Sequence, residues 1–264
     1  MGKKRLAPTA AEIRQEDRRP PILYLRSFAE DEPSGWFALA RAGRKPSREE
    51  QMVAVLKTMG PVVALGDPGE ELPDLGAARD YDPTREWRER VSGHLRETQL
   101  AVLRIGEEIS PSLRWEIEQS VEHLPGTGVV FILADGADRF EALGQLLNPL
   151  VSWKLGRPWR MPRANELSWW IRFRLFLPAF DWARLVIFFD QEWTPSFVVP
   201  SKPLLHGERA GPLELGLGRA LRPVLERAGG EWYGEKFELA DYLLVFGLAG
   251  IVLLFLIYFI IDSL

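Results

Sequence analysis

The sequence predicts a doubly wound α/β fold built on a parallel sheet of five strands. Short segments that are apolar on both faces alternate along the chain with longer amphipathic segments. Strands of this kind are typical of parallel sheets covered by helices on both sides. Right-handed crossovers between such strands give the doubly wound arrangement. The predicted strands are 22–27, 61–66, 100–105, 128–135 and 185–189.

Helical segments separate these strands. Ser47 and Glu50 have the spacing of a capping box, a pattern that marks the start of a helix, and Met52, Val53 and Leu56 then form an apolar stripe. Further helices are predicted at 86–97, 113–123, 139–147 and 213–227. Because doubly wound folds bind ligands beyond the carboxyl ends of their strands, the residues that follow each strand are the first candidates for a site.

The chain ends in an apolar segment, 243–261, that contains no charged residue. A helix of this length spans about 28 Å, close to the hydrocarbon thickness of a bilayer. Asp241 and Asp262 flank the segment. We therefore predict one transmembrane helix within 239–262, and the alternative is a helix buried in the protein core.

The charges around this segment predict its orientation. Arg227 and Lys236 precede it, and no Lys or Arg follows it. The positive-inside tendency places the large N-terminal part in the cytoplasm, so we expect a single-pass protein of the cell membrane. The basic N-terminus lacks the apolar core of a signal peptide. The lipid bilayer is the first expected partner.

The composition excludes several other classes of site. The net charge of −4 gives no nucleic-acid signature. The absence of cysteine excludes disulfides, thiolate nucleophiles and zinc–thiolate centres. The three histidines, His94, His123 and His206, are far apart in the sequence, and we predict no metal site.

Residues 150–184 interrupt the alternation of strands and helices with a segment rich in Trp, Phe and Arg. Five of the ten tryptophans of the chain lie in this insert. Aromatic rings with cationic neighbours suit the headgroup layer of an anionic leaflet. We predict a membrane interface formed by Trp169, Trp170, Arg172 and Arg174. The alternative is that these rings pack against the fold or a partner chain.

Three segments carry a family resemblance. SPSLRWEIE at 110–118 opens a short helix after the third predicted strand, LYLRSFAEDE at 23–32 contains the end of the first, and GDPGEELPDLGAA at 66–78 follows the second. In order and position they resemble the Toll/interleukin receptor (TIR) domain over 22–135, most closely the divergent TIR-like domains of bacterial membrane proteins. The resemblance implies a flavodoxin-like sheet of five strands.

The TIR resemblance also implies a site. In catalytic members of that family a helix glutamate contacts the ribose of NAD and supports cleavage of the nicotinamide bond, and Glu116 is the matching residue. A fixed carboxylate stabilises the oxocarbenium character that develops on the sugar. The residues that the resemblance places around it are Arg26, Ser27, Phe28 and Trp115. Two alternatives stay open: Glu118 as the site residue, and Glu116 as a first-turn carboxylate that complements the helix dipole.

Three functions follow as hypotheses. We favour a cytoplasmic, membrane-anchored TIR-like signalling or interaction module that assembles with itself or with other TIR-like domains. The second is an NAD-cleaving hydrolase of bacterial signalling or defence, with NAD as its substrate, and the third is a membrane-disrupting effector. The predicted parts are a flexible tail at 1–20, a TIR-like core at 21–149, the aromatic-basic insert at 150–184, a final strand and helix at 185–230 and the transmembrane helix at 239–262.

Overall fold

The computed structural model describes residues 17–26, 48–65, 78–80, 87–134, 136–176, 183–200 and 212–227. Within these ranges the chain forms seven strands and six α-helices. The strands are β1 (Ile22–Arg26), β2 (Val62–Leu65), β3 (Ala78–Asp80), β4 (Leu100–Ile105), β5 (Val129–Leu133), β6 (Leu185–Phe189) and β7 (Pro195–Val198). The helices are α1 (Arg48–Lys57), α2 (Trp87–Glu97), α3 (Pro111–His123), α4 (Ala137–Leu155), α5 (Trp169–Phe176) and α6 (Pro212–Arg227).

The strands form one mostly parallel sheet in the order β3-β2-β1-β4-β5-β6-β7. The pairs from β3 through β5 are parallel, whereas β6 pairs with β5 and β7 in the antiparallel sense. The predicted α/β class with a mostly parallel sheet is therefore confirmed. Without the edge strand β3, the run β2-β1-β4-β5 has the order of the first four strands of a flavodoxin-like sheet.

The prediction of five parallel strands is wrong in the number of strands and in the direction of the fifth predicted strand. The predicted fifth strand, β6, is antiparallel to its neighbours. Two further strands, β3 and β7, form the edges of the sheet. Their sequences, ARD and PSFV, lack the apolar run by which the other strands were recognised. A proline in the first position of β7 is compatible with an edge strand, where a ladder donor is not required.

The path of the insert explains why β6 is antiparallel. α4 leads away from the carboxyl edge of β5, and the chain then returns along the same helix. The backbone N–H of Met161 donates to Asn148 Oδ1 at 2.8 Å, and that of Ala164 donates to Glu141 Oε1 at 2.7 Å. Since the return brings the chain back to the carboxyl edge, β6 begins beside the end of β5 and runs in the opposite direction.

Helices cover both faces of the sheet, as predicted for a doubly wound fold. Leu23 and Leu25 of β1 belong to a core layer shared with α2, α3 and α4. Ile22 and Tyr24 belong to a second core layer shared with α1 and α6. This alternation follows from the period of two along a strand.

The strand order reverses between β1 and β4. From β1 the chain proceeds to β2 and β3 on one side of the sheet and then crosses to β4 and β5 on the other. The carboxyl ends of β1 and β4 therefore flank the crevice in which such folds bind ligands.

Among the described residues, no helix has the length and apolar character needed to cross a bilayer. The predicted transmembrane helix at 239–262 lies outside those residues and stays a prediction. Other predicted features also lie outside them: Ser27, Phe28, Ser47, the loop 66–77 and most of the tail at 1–20.

Candidate functional site

Helix α3 begins at the crevice, as the segment 110–118 predicts. Ser110 is its N-cap, with extended backbone angles, and its Oγ accepts a hydrogen bond from the backbone N–H of Leu113 at 3.2 Å. Pro111 occupies the first helical position, where no N–H is needed. The helix therefore starts a few residues after β4 ends, at the carboxyl edge of the sheet.

Glu116 lies on the buried face of α3 and is only 2% exposed. Its neighbours on this face are Leu113, Ile117, Ser120 and Val121, at the spacing of one helix face. The first turn of α3 contains no acidic residue. The interpretation of Glu116 as a first-turn carboxylate that complements the helix dipole is therefore wrong, because the residue lies in the second turn and packs inward.

The Glu116 carboxyl is buried without a hydrogen-bond partner for its Oε2 among the described residues. Burial raises the pKa of this carboxyl from 4.5 to about 8, because desolvation disfavours the charged form. The side chain is therefore mostly protonated and uncharged at pH 7. A neutral carboxylic acid can donate a hydrogen bond, but it supplies no negative charge to a nearby cation.

Trp115 joins α3 to α2. Its ring lies 4.9 Å from the ring of Trp87, centroid to centroid, at a tilt of 52°. The guanidinium carbon of Arg88 lies 5.4 Å from the Trp115 centroid, which is the geometry of a cation–π contact. Trp115 thus holds two helices together. Glu118, the alternative site residue on the same helix, forms an ion pair with Arg114 at 3.5 Å.

Arg26 ends β1 at the crevice and is in register with Arg104 of β4. Following the alternation along β1, Arg26 lies on the side of α1 and α6, the face to which Tyr24 belongs. Glu116 lies on the opposite side of the sheet, among residues that pack with α2 and α4. The structure therefore places the two predicted site residues at one edge of the sheet but on different faces.

Arg104 was missed by sequence reasoning, although it is only 8% exposed. A single arginine inside an apolar strand segment gives little signal by itself. Its position beside Arg26 depends on the pairing of β1 with β4, which joins residues far apart in the sequence.

The insert presents a second candidate surface, the helix α5. Its inward residues Ile171 and Leu175 pack against the core. Its outward residues Trp169, Trp170 and Phe173 are 69%, 50% and 49% exposed. Trp170 lies between the other two rings, with centroid distances of 5.6 Å to Trp169 and 6.1 Å to Phe173. We call these three rings the aromatic surface.

Of the two arginines predicted to accompany these rings, the structure describes the side chain of one. Arg172 is exposed on α5, and its Nη1 donates to the carbonyl of Asn165 at 3.3 Å. Arg174 is a residue of α5, but its side chain lies outside the described part of the structure. Trp169, Trp170 and Arg172 are thus exposed, and the predicted membrane interface stays a prediction.

A groove of about 1010 Å³ runs beside the aromatic surface. The first half of α4 forms one wall, and residues 160–173 form the other. The side chains of Trp169, Arg172 and Phe173 belong to both the groove and α5. Sequence reasoning missed this groove because the return path of the insert along α4 has no local sequence signature.

In the part of the chain that the structure describes, no group of three acidic or histidine side chains could hold a metal ion. Comparison of the chain with protein-family models, curated proteins and solved structures finds no match. Helix α3, helix α5 and the groove are therefore the parts of the described structure that bear on function.

Proposed function

We propose that the chain is a membrane-anchored, TIR-like signalling or interaction module that lies with α5 on the inner surface of the cell membrane. The observation that carries this proposal is the exposed aromatic surface on a helix whose inward side is already packed. Contiguous exposed apolar surface commonly marks a binding or membrane-contact site. Aromatic rings with a neighbouring arginine suit the headgroup layer.

The predicted anchor at 239–262 lowers the entropic cost of bringing α5 to the bilayer. A protein already tethered to the bilayer forms its second contact intramolecularly, at an effective concentration in the millimolar range. Removing the three half-exposed rings from water contributes on the order of several kcal/mol. This gain is sufficient to fix how the domain lies on the membrane.

The state of Glu116 favours an interaction module over a hydrolase. With a pKa of about 8 the carboxyl is mostly neutral at pH 7 and does not stabilise a developing oxocarbenium ion. The Glu116 side chain is almost fully buried. The alternation along β1 puts Arg26 on the other face of the sheet, with Tyr24. We infer that the TIR-like core acts by assembly, with itself or with other TIR-like domains.

A label at the start of α5 tests the membrane contact. Because the chain contains no cysteine, Ser168→Cys creates a single labelling position beside the aromatic surface, and Ala54→Cys creates a matched position on the exposed side of α1. We expect a nitroxide at position 168 of the full chain in proteoliposomes to be shielded from water-soluble relaxation agents. The label at position 54 should stay accessible, and equal accessibility at both positions overturns the proposal.

NAD cleavage is a second candidate because Glu116 is a buried carboxyl at the edge of the sheet where such folds bind ligands, and its Oε2 has no hydrogen-bond partner among the described residues. It requires the carboxylate form, so nicotinamide release should rise with pH through about 8. Purified full-length protein can be assayed at pH 7 and pH 9 with Glu116→Gln and the exposed control Glu118→Gln. Release that is lost only in Glu116→Gln would favour the hydrolase, and absence of release in all three proteins favours the module.

A further inference from the structure

Hydrogen bonds between side chains of α4 and the backbone of the returning chain join the two walls of the groove beside α5. Asn148 and Glu141 of α4 accept the backbone N–H groups of Met161 and Ala164, at 2.8 and 2.7 Å. These two bonds fix the returning chain at a set distance from α4. At about 1010 Å³ the groove is large enough for a small polar ligand.

The two walls of the groove carry opposite charges. Asp138 lies exposed in the first turn of α4 on one wall. Arg163 and Arg172 lie exposed on the other. A third arginine on that wall, Arg160, is already bound by both carboxylate oxygens of Glu166, at 2.8 and 3.1 Å. Glu141 also lines the α4 wall, and its Oε1 accepts the backbone N–H of Ala164. Beside this bonded carboxylate, the groove presents Asp138 and the guanidinium groups of Arg163 and Arg172 toward the same space.

A ligand complementary to this groove has an anionic phosphate, a cationic group close to it and an apolar neighbour. Guanidinium groups bind phosphate through charge-assisted hydrogen bonds. Trp169 and Phe173 line the groove and also belong to the aromatic surface, so the groove borders the proposed bilayer contact. We propose that the groove binds the phosphoethanolamine headgroup of a membrane phospholipid, with its phosphate on the arginine wall and its ammonium on Asp138. This inference rests on the proposed membrane contact of α5.

The carboxylate makes the groove selective among headgroups. A primary ammonium donates three hydrogen bonds and pairs with Asp138. A choline headgroup carries the same charge but has no N–H donor, and a glycerol headgroup has no cation to offset the carboxylate. We therefore expect ethanolamine phospholipid to be preferred over both.

Calorimetry on the full chain in detergent micelles tests the site without a bilayer. We expect glycerophosphoethanolamine to bind at least about tenfold more tightly than glycerophosphocholine or inorganic phosphate, because only it forms the charge-assisted pair with Asp138. Asp138→Asn should remove this preference, and Arg163→Gln should weaken the binding of both glycerophosphodiesters. Glu89→Gln removes an exposed charge on α2 and should change nothing. Equal affinity for the ethanolamine and choline compounds, or for phosphate alone, overturns the assignment.

Nanodiscs separate this inference from the proposed function. With the label at Ser168→Cys, we expect shielding to increase when ethanolamine phospholipid is added to a choline phospholipid bilayer, and not to increase in the Asp138→Asn protein. Shielding that is the same with and without ethanolamine phospholipid overturns the headgroup site but leaves the membrane contact of α5. A label that is unshielded in every lipid contradicts the proposed function and the inference together.

Discussion

At the scale of single residues, Glu116 is a buried acid that lowers the stability of the fold as pH rises. Its pKa is 4.5 when solvated and about 8 in the folded protein. Between these values the unfolded chain has released the proton and the folded chain still holds it. By linkage, stability falls over this range, and the loss is on the order of 3–5 kcal/mol at pH 8 and above. Below about pH 4.5 both states are protonated and the effect disappears.

Glu116→Gln should remove this pH dependence. The amide is neutral at every pH, so the variant should gain melting temperature relative to wild type between pH 5 and pH 8, by about 2–4 °C for each kcal/mol. Glu118→Gln, two residues along the same helix and partly exposed, is the matched control and should follow the wild type. Thermal unfolding of the full chain in detergent at both pH values measures the effect. Parallel curves for all three proteins would show that Glu116 titrates normally.

The sequence could predict the position of this residue but not its chemical state. Ser110 and Pro111 locate the start of α3, which places Glu116 after the third predicted strand. Its burial depends on residues of other elements that complete the core layer around it. In the same way, the pairing of Arg26 with Arg104 requires two strands to become neighbours. Local patterns specify helices and their starts, whereas the environment of a side chain is set by long-range packing.

At the scale of elements, two glycines show how differently the segments of this fold are constrained. Gly93 lies within α2, and a methyl group added there would meet no atom within 4 Å. Gly126 lies in the short 3₁₀ turn Gly126–Gly128 before β5. A methyl group there would collide with the carbonyl oxygen of Asp190 and approach the Trp193 ring to 3.2 Å. The turn is therefore closely packed against the connection between β6 and β7, whereas α2 has free space around its glycine.

Gly93→Ala and Gly126→Ala should change stability in opposite directions. Alanine in α2 should stabilise the protein by about 0.5–1 kcal/mol, because it lowers the conformational entropy lost on folding. Alanine in the turn should destabilise it by about 2–4 kcal/mol, because a fixed carbonyl and a buried ring must move. Melting temperatures of the two variants beside wild type measure both effects. A destabilising Gly93→Ala or a neutral Gly126→Ala would contradict this description of the two elements.

The directions of the strands were predictable only where helices cross directly between them. Strands β1, β2, β4 and β5 have apolar sequences, and their parallel pairing follows from the helices that connect them. β6 has an equally apolar sequence, yet it is antiparallel because the insert returns along α4 before the strand begins. Apolar patterning specifies that a segment is a buried strand, and the path of the connection decides its direction.

At the scale of the whole molecule, the chain has two proposed attachments to the membrane of very different strength. The predicted helix at 239–262 would insert in an effectively irreversible way. The aromatic surface on α5 has only three half-exposed rings and would bind reversibly at the interface. In this proposal the first attachment would set where the protein resides. The second would set which face of the α/β domain meets the lipid and which faces stay available for assembly.

Fractionation should separate the two attachments. We expect the full chain to stay in the membrane pellet through an alkaline carbonate wash, which removes proteins held only at the surface. A chain that stops at residue 238 should be released by that wash, yet it should still sediment with vesicles at neutral pH through α5. Replacing Trp169, Trp170 and Phe173 with serine should abolish this residual sedimentation and leave the full chain in the carbonate pellet. If the shortened chain resisted the wash, the anchor would lie elsewhere. A full chain that stayed soluble without detergent would contradict the proposed attachment at both sites.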